Sequence, residues 1–102
     1  MSPEKFHMGR VAQTGCVVCR RLGHGWVPGQ VHHVAEGSSV RSDFATVCLC
    51  PQHHTGPWSV HKAKERFFKV CGVPWEKEEG LLVWQNEDLT LLAMGRLSLG
   101  VA

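Results

Sequence analysis

Cysteine and histidine side chains with the spacing of metal ligands are the main chemical signal in this chain. Two residues separate Cys16 from Cys19, and two residues separate Cys50 from His53. A structural zinc ion prefers four tetrahedral sulfur or nitrogen donors with no open position, and two such pairs supply them. The sequence therefore predicts a structural zinc site formed by Cys16, Cys19, Cys50 and His53.

Two further cysteines are weaker candidates for this site. Cys48 is a rival ligand because it lies two residues before Cys50, but on a strand we expect it to pack in the core. Cys71 falls on the apolar stripe of a predicted helix. The alternative to zinc is a set of buried free thiols, which Cys-x-x-Cys spacing makes the poorer interpretation.

Four other histidines have no structural task once the zinc ligands are set aside. A phosphodiester hydrolase needs a base to activate water and a cation to neutralise the scissile phosphate. Imidazole suits the first role because its ordinary pKa is about 6.5. Either His32 or His33 could be the base, and the other, with His54 and with or without His61, could hold the cation. His24 lies in a glycine-rich loop, where we expect a surface or hydrogen-bonding role.

Length and composition indicate one small domain, residues 1–102, whose core lies at about 16–71. A chain of 102 residues buries only about two thirds of its unfolded surface, so a structural metal would add needed stability. No apolar run is long enough for a membrane helix, and the first residues do not lead into a signal peptide. We therefore expect a reducing, cytoplasmic location. The net charge of +2 permits nucleic-acid binding only if the charge is concentrated locally.

Helix and strand signals flank the candidate ligands and predict an α+β fold. Ser2 followed by Pro3 predicts a helix that begins there and runs toward Thr14. Residues 30–35 and 44–49 are β-rich and predict a hairpin with a turn at residues 36–39, which places His32 and His33 on opposite strand faces. Pro51 ends the second strand.

The second half of the chain is predicted to be helical. Ser59 is a candidate N-cap for a helix that reaches Cys71, with a basic face opposite its apolar stripe. A helix could begin at Trp75, but Gly80 separates it from residues 81–84, and Asn86 resembles a second helix start. The tryptophans and leucines of this tail are most simply core residues.

The ordered motifs GCVVCRRLGHG, VHHVAEG, LCPQHHTGP and SVH resemble those of a known enzyme family. Over about residues 16–71 they are similar to the HNH, or ββα-metal, nucleases. Within that group they look most like the recombination-enhancement-function nucleases of phages and prophages. The ordered set is specific, whereas each motif alone is weak.

The resemblance implies a zinc-stabilised ββα-metal domain with flanking helices that cleaves DNA with a divalent cation, usually Mg²⁺ or otherwise Mn²⁺. By motif position it implies that His33 is the general base and that His54 binds the cation. It places His61 at the last histidine of the motif, and His32 can ligate the cation or orient the site. It also suggests action in a bacterial host on DNA held in a recombinase filament.

The chain departs from the family pattern at the asparagine that gives HNH its name. Asp43 stands near that place, where it could fix the loop by hydrogen bonds or simply cap a turn. The chain also lacks the glycines that often follow the last histidine. The tail from Val73 matches poorly.

Two non-enzymatic interpretations compete with the nuclease. In the first, the protein is a zinc-stabilised nucleic-acid-binding module without catalysis, whose spare histidines are structural. In the second, it is a protein adaptor whose tryptophan- and leucine-rich tail docks a partner, which requires an exposed tail. In the nuclease and in the binding module, the side chains that could contact phosphates are Arg20, Arg21, Arg41, Lys62 and Arg66.

Overall fold

The computed structural model describes residues 1–34 and 41–99, which form a small α+β fold. A two-stranded antiparallel sheet is surrounded by helices. In chain order the elements are α1 (Pro3–Thr14), α2 (Val17–Arg21), β1 (Gln30–His33), β2 (Thr46–Leu49), α3 (Pro51–His54), α4 (Lys64–Cys71), a 3-10 turn (Pro74–Glu76) and α5 (Glu78–Ala93).

The predicted N-terminal helix is confirmed. Ser2 is its N-cap and accepts a hydrogen bond from the backbone N–H of Lys5 at 3.1 Å, while Pro3 occupies the first turn. The helix ends at Thr14, where Gly15 adopts a φ of 76°. A Cβ at Gly15 would lie 2.8 Å from the indole of Trp26, so glycine is required at this position.

The predicted hairpin is also confirmed, although both strands are shorter than expected. Gln30 pairs with Leu49 and His33 with Thr46, in antiparallel register. All four residues of β2 are buried, whereas in β1 only His32 is buried, Gln30 is exposed, and the other two residues are partly buried. The turn predicted at residues 36–39 lies outside the described residues. The sheet thus brings the His32–His33 pair beside the strand that leads to the second half of the zinc motif.

The helix predicted to run from Ser59 to Cys71 begins later than expected. Ser59 caps only a single turn, because its Oγ accepts from the backbone N–H of Lys62 at 3.2 Å. Ala63 then adopts φ −144° and ψ 52°, which is not helical, and α4 begins at Lys64. Consequently His61 lies in the segment before the helix and not on the helix itself.

The tail forms one helix, α5, where the sequence predicted two. Gly80 does not divide it and lies inside the helix. Glycine is required there, because a Cβ would lie 2.1 Å from the carbonyl oxygen of Pro74. Asn86 is likewise inside the helix and does not start one. The buried stripe contains Leu81, Gln85 and Asp88, which differs from the leucine stripe expected from the pattern.

Helix α5 packs on α1 and β2, so the tail is part of the fold. Gln85 joins the three elements: its Oε1 accepts from the backbone N–H of Cys48 at 2.8 Å, and its Nε2 donates to Thr14 Oγ1 at 2.9 Å. Trp84 packs against the core, but Trp75 is 70% exposed, so the expectation that the tail tryptophans are core residues is wrong for Trp75.

The hydrophobic core lies between the zinc motif, the sheet and the helices. Its apolar members include Val17, Val47, Leu49, Phe67 and Leu81, each exposed by 2% or less. Among residues 1–34 and 41–99, no helix is both long enough and apolar enough to cross a membrane.

Candidate metal centres and catalytic cleft

Two short helices present the four predicted zinc ligands. Cys16 is the N-cap of α2, and its Sγ accepts from the backbone N–H of Cys19 at 3.4 Å. Cys50 is the N-cap of α3, which carries His53 one turn later. All four side chains are buried, and the hairpin connects the two halves.

The donor atoms of this cluster have the separations of a metal site. His53 Nδ1 lies 3.6 Å from Cys16 Sγ, 3.5 Å from Cys19 Sγ and 3.2 Å from Cys50 Sγ, and the sulfurs of Cys19 and Cys50 are 3.6 Å apart. Donors bound to one tetrahedral zinc ion lie roughly 3.3–3.8 Å apart. The cluster can therefore hold a structural metal ion such as zinc.

Electrostatics favours a cation at this position. Burial raises the pKa of Cys16 and of Cys19, and neighbouring cysteine charges add to the effect at Cys19. Burial also lowers the pKa of His53, with a smaller contribution from His24, so its imidazole stays neutral. Without a positive ion these thiols would keep their protons; a bound metal ion would compensate three thiolates, and a neutral imidazole is the form that ligates metal.

The remaining cysteines lie outside this cluster, as the sequence predicts. Cys48 is fully buried, and burial raises the pKa of its thiol to about 12. Cys71 is the last residue of α4 and is partly buried. His24 is exposed in its loop.

A second cluster contains His32, His54 and His61. One ring nitrogen from each lies within 4.8 Å of the others. The ring centroids are 5.2 Å apart for His32 and His54, 5.0 Å for His32 and His61, and 4.8 Å for His54 and His61. Three imidazole nitrogens suit a divalent transition-metal ion, whereas Mg²⁺ prefers oxygen donors.

Two of the three rings have a hydrogen-bond partner on one ring nitrogen, which leaves the other nitrogen for a cation. His32 Nε2 donates to Glu78 Oε1 at 2.5 Å, and His54 Nδ1 donates to Gln30 Oε1 at 3.0 Å. Histidines that ligate metals commonly donate their other N–H to such an acceptor. Burial lowers the pKa of His54, and the nearby His32 and His61 lower it further, so its ring stays neutral.

His33 lines the same cleft but belongs to a different set of contacts. Its Nε2 donates to Asp43 Oδ1 at 2.7 Å, and its Nδ1 accepts from Arg41 Nη2 at 2.8 Å. Asp43 therefore holds a side chain of β1. This contact resembles the loop-fixing role considered for Asp43 more than a turn cap. The side chains that line the cleft are Val31, His32, His33, Arg41, His54 and His61.

The five candidate phosphate-binding cations fall into two groups. Arg20 and Arg21 are mostly buried, and their guanidinium groups contact Asp88 and backbone carbonyls of the chain itself. These internal contacts explain both side chains without DNA. Arg41, Lys62 and Arg66 are exposed, and the Arg66 guanidinium lies 4.4 Å from the ring centroid of Trp58.

Sequence reasoning missed two residues that contact the histidine cluster, one in the tail and one in β1. Glu78 is buried beside His32, although it lies 46 positions away in the chain. The only signal for it was an acid in the Glu76–Glu79 run, which was interpreted as a helix start. Gln30 was treated only as the first residue of a strand.

Comparisons with known proteins give no further guide to function. No family model, no curated protein and no solved structure matched this chain. The site must therefore be interpreted from its own geometry.

Proposed function

We propose that this protein is a metal-dependent nuclease of the ββα-metal type, which hydrolyses phosphodiester bonds in DNA. The observation that carries the proposal is the position of His33, with its Asp43 partner, in the same cleft as the cluster of His32, His54 and His61. A base and a cation site side by side are what phosphodiester hydrolysis requires. Neither structural support nor simple phosphate binding needs both.

In this proposal His33 is the general base. A carboxylate can only accept, so Nε2 carries the proton that it donates to Asp43, and Nδ1 has the free electron pair. Nδ1 can take a proton from a water molecule as that water attacks phosphorus. Asp43 then stabilises the imidazolium that forms, because its negative charge lies 2.7 Å from the ring.

His32, His54 and His61 hold the divalent cation in this proposal. A divalent cation bound there would neutralise charge on the scissile phosphate and help the leaving oxygen to depart, and the Mg²⁺ or Mn²⁺ implied by the motif resemblance would need oxygen donors from water or phosphate beside the imidazoles. Imidazole ligands bring no negative charge of their own, so a cation held there would keep its positive charge for a phosphate. The buried cysteine cluster, with zinc as the metal we propose there, supports the fold from the other end of α3.

Arg41 provides the first contact to the substrate phosphate. It is exposed at the cleft, and its Nη2 donates to His33 Nδ1 at 2.8 Å. A phosphate oxygen is a stronger acceptor than an imidazole nitrogen, so an arriving DNA strand would draw Arg41 away and free the base. Lys62, which follows His61 in the chain, and Arg66 are exposed and are further candidates for phosphate contact.

The proposed setting is the reducing cytoplasm of a bacterial host, where thiolates remain available for zinc. Action in phage or prophage recombination, on DNA held by a recombinase filament, follows from the motif resemblance alone. A cleavage assay of this protein should therefore include filament-bound DNA as one substrate.

The test is a cleavage assay on supercoiled plasmid and on single-stranded DNA, with Mg²⁺ or Mn²⁺. It compares the zinc-loaded wild type with His33→Ala, and uses His24→Ala as a control because that histidine is exposed and outside both clusters. We expect cleavage by the wild type and the control, and its loss in His33→Ala. The proposal is wrong if the wild type cuts none of these substrates, including filament-bound DNA, or if His33→Ala cuts as well as the wild type.

A second candidate is a zinc-stabilised nucleic-acid-binding module without catalysis. One observation favours it: both ring nitrogens of His33 are already engaged, by Asp43 and by Arg41. In that case the histidine would only hold Arg41 in place for phosphate contact. Salt-dependent DNA binding without cleavage, weakened by Arg41→Ala, would support the binding module.

A further inference from the structure

Glu78, the first residue of α5, brings a carboxylate from the tail to the three-histidine cluster. It is only 5% exposed. Its Oε1 accepts from His32 Nε2 at 2.5 Å, and its Oε2 accepts from Lys64 Nζ at 3.1 Å. Both carboxylate oxygens are thus used by side chains from two other parts of the chain.

A buried carboxylate is costly to the fold unless charged or donating groups compensate it. Burial by itself would raise the pKa of Glu78, but the hydrogen bonds and charges of His32 and Lys64 outweigh burial and lower the pKa overall. Two donors, His32 Nε2 and Lys64 Nζ, therefore satisfy the two oxygens of this buried carboxylate. An apolar residue at position 78 would avoid this cost, so stability alone does not explain the buried carboxylate.

The contact determines which nitrogen of His32 can ligate a cation. His32 Nε2 faces Glu78 Oε1, so this nitrogen carries the proton of the hydrogen bond and Nδ1 has the free electron pair. The same contact holds the ring against rotation.

We propose that Glu78 is a positioning residue that holds His32 in the tautomer and orientation needed to bind the divalent cation. Lys64 keeps the second oxygen of Glu78 engaged, so that the first stays aimed at His32. This gives the tail a role in the cleft: α5 packs on the fold and also completes the cation site. The inference deepens the proposed function, because it rests on the cation site assigned there.

The experiment measures Mn²⁺ binding to the full zinc-loaded chain by electron paramagnetic resonance, without DNA. It compares the wild type with Glu78→Gln, which keeps the shape and removes the charge, and with Glu76→Gln, an exposed acid two residues earlier, as a matched control. Loss of an outer carboxylate partner typically weakens metal affinity by about 10–100-fold, and we expect that loss in Glu78→Gln alone. Zinc content and the thermal midpoint are recorded for every variant.

A double-mutant cycle with His32→Ala separates positioning from general support of the fold. If Glu78 acts through His32, Glu78→Gln causes no further loss of Mn²⁺ affinity once His32 is removed. If Glu78→Gln fails to fold, Glu78→Asp serves instead, because it keeps the charge but shortens the reach to His32; its Mn²⁺ affinity should also fall.

The results distinguish this inference from the proposed function. Unchanged Mn²⁺ affinity in Glu78→Gln, with a lower thermal midpoint, would show a merely structural role and overturn the inference while leaving the nuclease intact. Equal losses with and without His32 would also overturn it. A wild type that binds no Mn²⁺ and cuts no DNA would overturn both.

Discussion

Arg21 donates through Nη1 to both carboxylate oxygens of Asp88, each at 2.8 Å. Asp88 is 1% exposed, and the second guanidinium nitrogen of Arg21 donates to the carbonyl of Trp84 and to Glu87. This contact joins α2, which carries half of the cysteine cluster, to the middle of α5. Arg21, which the sequence offered as a DNA contact, therefore connects the candidate metal centre to the tail.

Removing one partner of this pair should destabilise the fold. Breaking a buried ion pair by deleting one side costs about 3–5 kcal/mol, because the other charge is left uncompensated. We expect Arg21→Ala and Asp88→Ala to lower the free energy of unfolding by roughly this order, and Asp88→Ala by less, because the Arg21 charge that it leaves behind is partly exposed to water. Urea denaturation of the zinc-loaded chain measures it.

Lys62→Ala is the control for this prediction, because it removes an exposed cation outside the pair. Its unfolding should match that of the wild type to within about 0.5 kcal/mol. If Arg21→Ala is as stable as Lys62→Ala but binds DNA more weakly than the wild type does, then Arg21 is a phosphate contact. The Arg21–Asp88 ion pair would then contribute little to stability.

The cysteine cluster should be essential for folding. Cys16→Ser removes one of four ligands and replaces a buried sulfur with a hydroxyl, so we expect the variant to lose zinc and to unfold. Zinc content by atomic absorption and helix content by circular dichroism report the two effects. Cys71→Ser, outside the cluster, should keep both. A folded, zinc-replete Cys16→Ser protein would remove Cys16 from the site.

Asp43 should matter for cleavage only through His33. General-base catalysis contributes about 10²–10⁴-fold in rate, and Asp43→Ala should lose part of that factor while His33→Ala loses all of it. The measurement is the rate of DNA cleavage for each single variant and for the double variant. Because Asp43 acts on the base, the double variant should be no slower than His33→Ala. A further loss in the double variant would mean that Asp43 has an independent role.

Gly80 should not tolerate a side chain, although it lies inside a helix. A Cβ there would approach the Pro74 carbonyl oxygen at 2.1 Å, so Gly80→Ala should destabilise the protein by about 1–3 kcal/mol. Gly9→Ala in α1 is the opposite case, since nothing lies within 4 Å of its Cβ position, and it should stabilise by about 0.5–1 kcal/mol. Thermal unfolding of the two variants tests the contrast. Stabilisation by Gly80→Ala would contradict the close packing of the 3-10 turn on α5.

The sequence alone determined what depends on near neighbours. Ser2 and Pro3 predict α1 because a cap and a preset φ act within one turn. The paired spacing around Cys16 and Cys50 predicts the metal cluster because two residues between ligands suit one ion. The hairpin follows from two β-rich runs, and each of these features was found where it was expected.

Tertiary structure alone decided the partners of the site and the form of the tail. His32 meets Glu78 across 46 positions and Arg21 meets Asp88 across 67, and no local pattern encodes such a pairing. Gly80 lies inside α5 against the Pro74 carbonyl, a contact that leaves no room for a side chain. Propensity and spacing act over a few residues, whereas burial of a charge or the closeness of a backbone depends on how the helices pack.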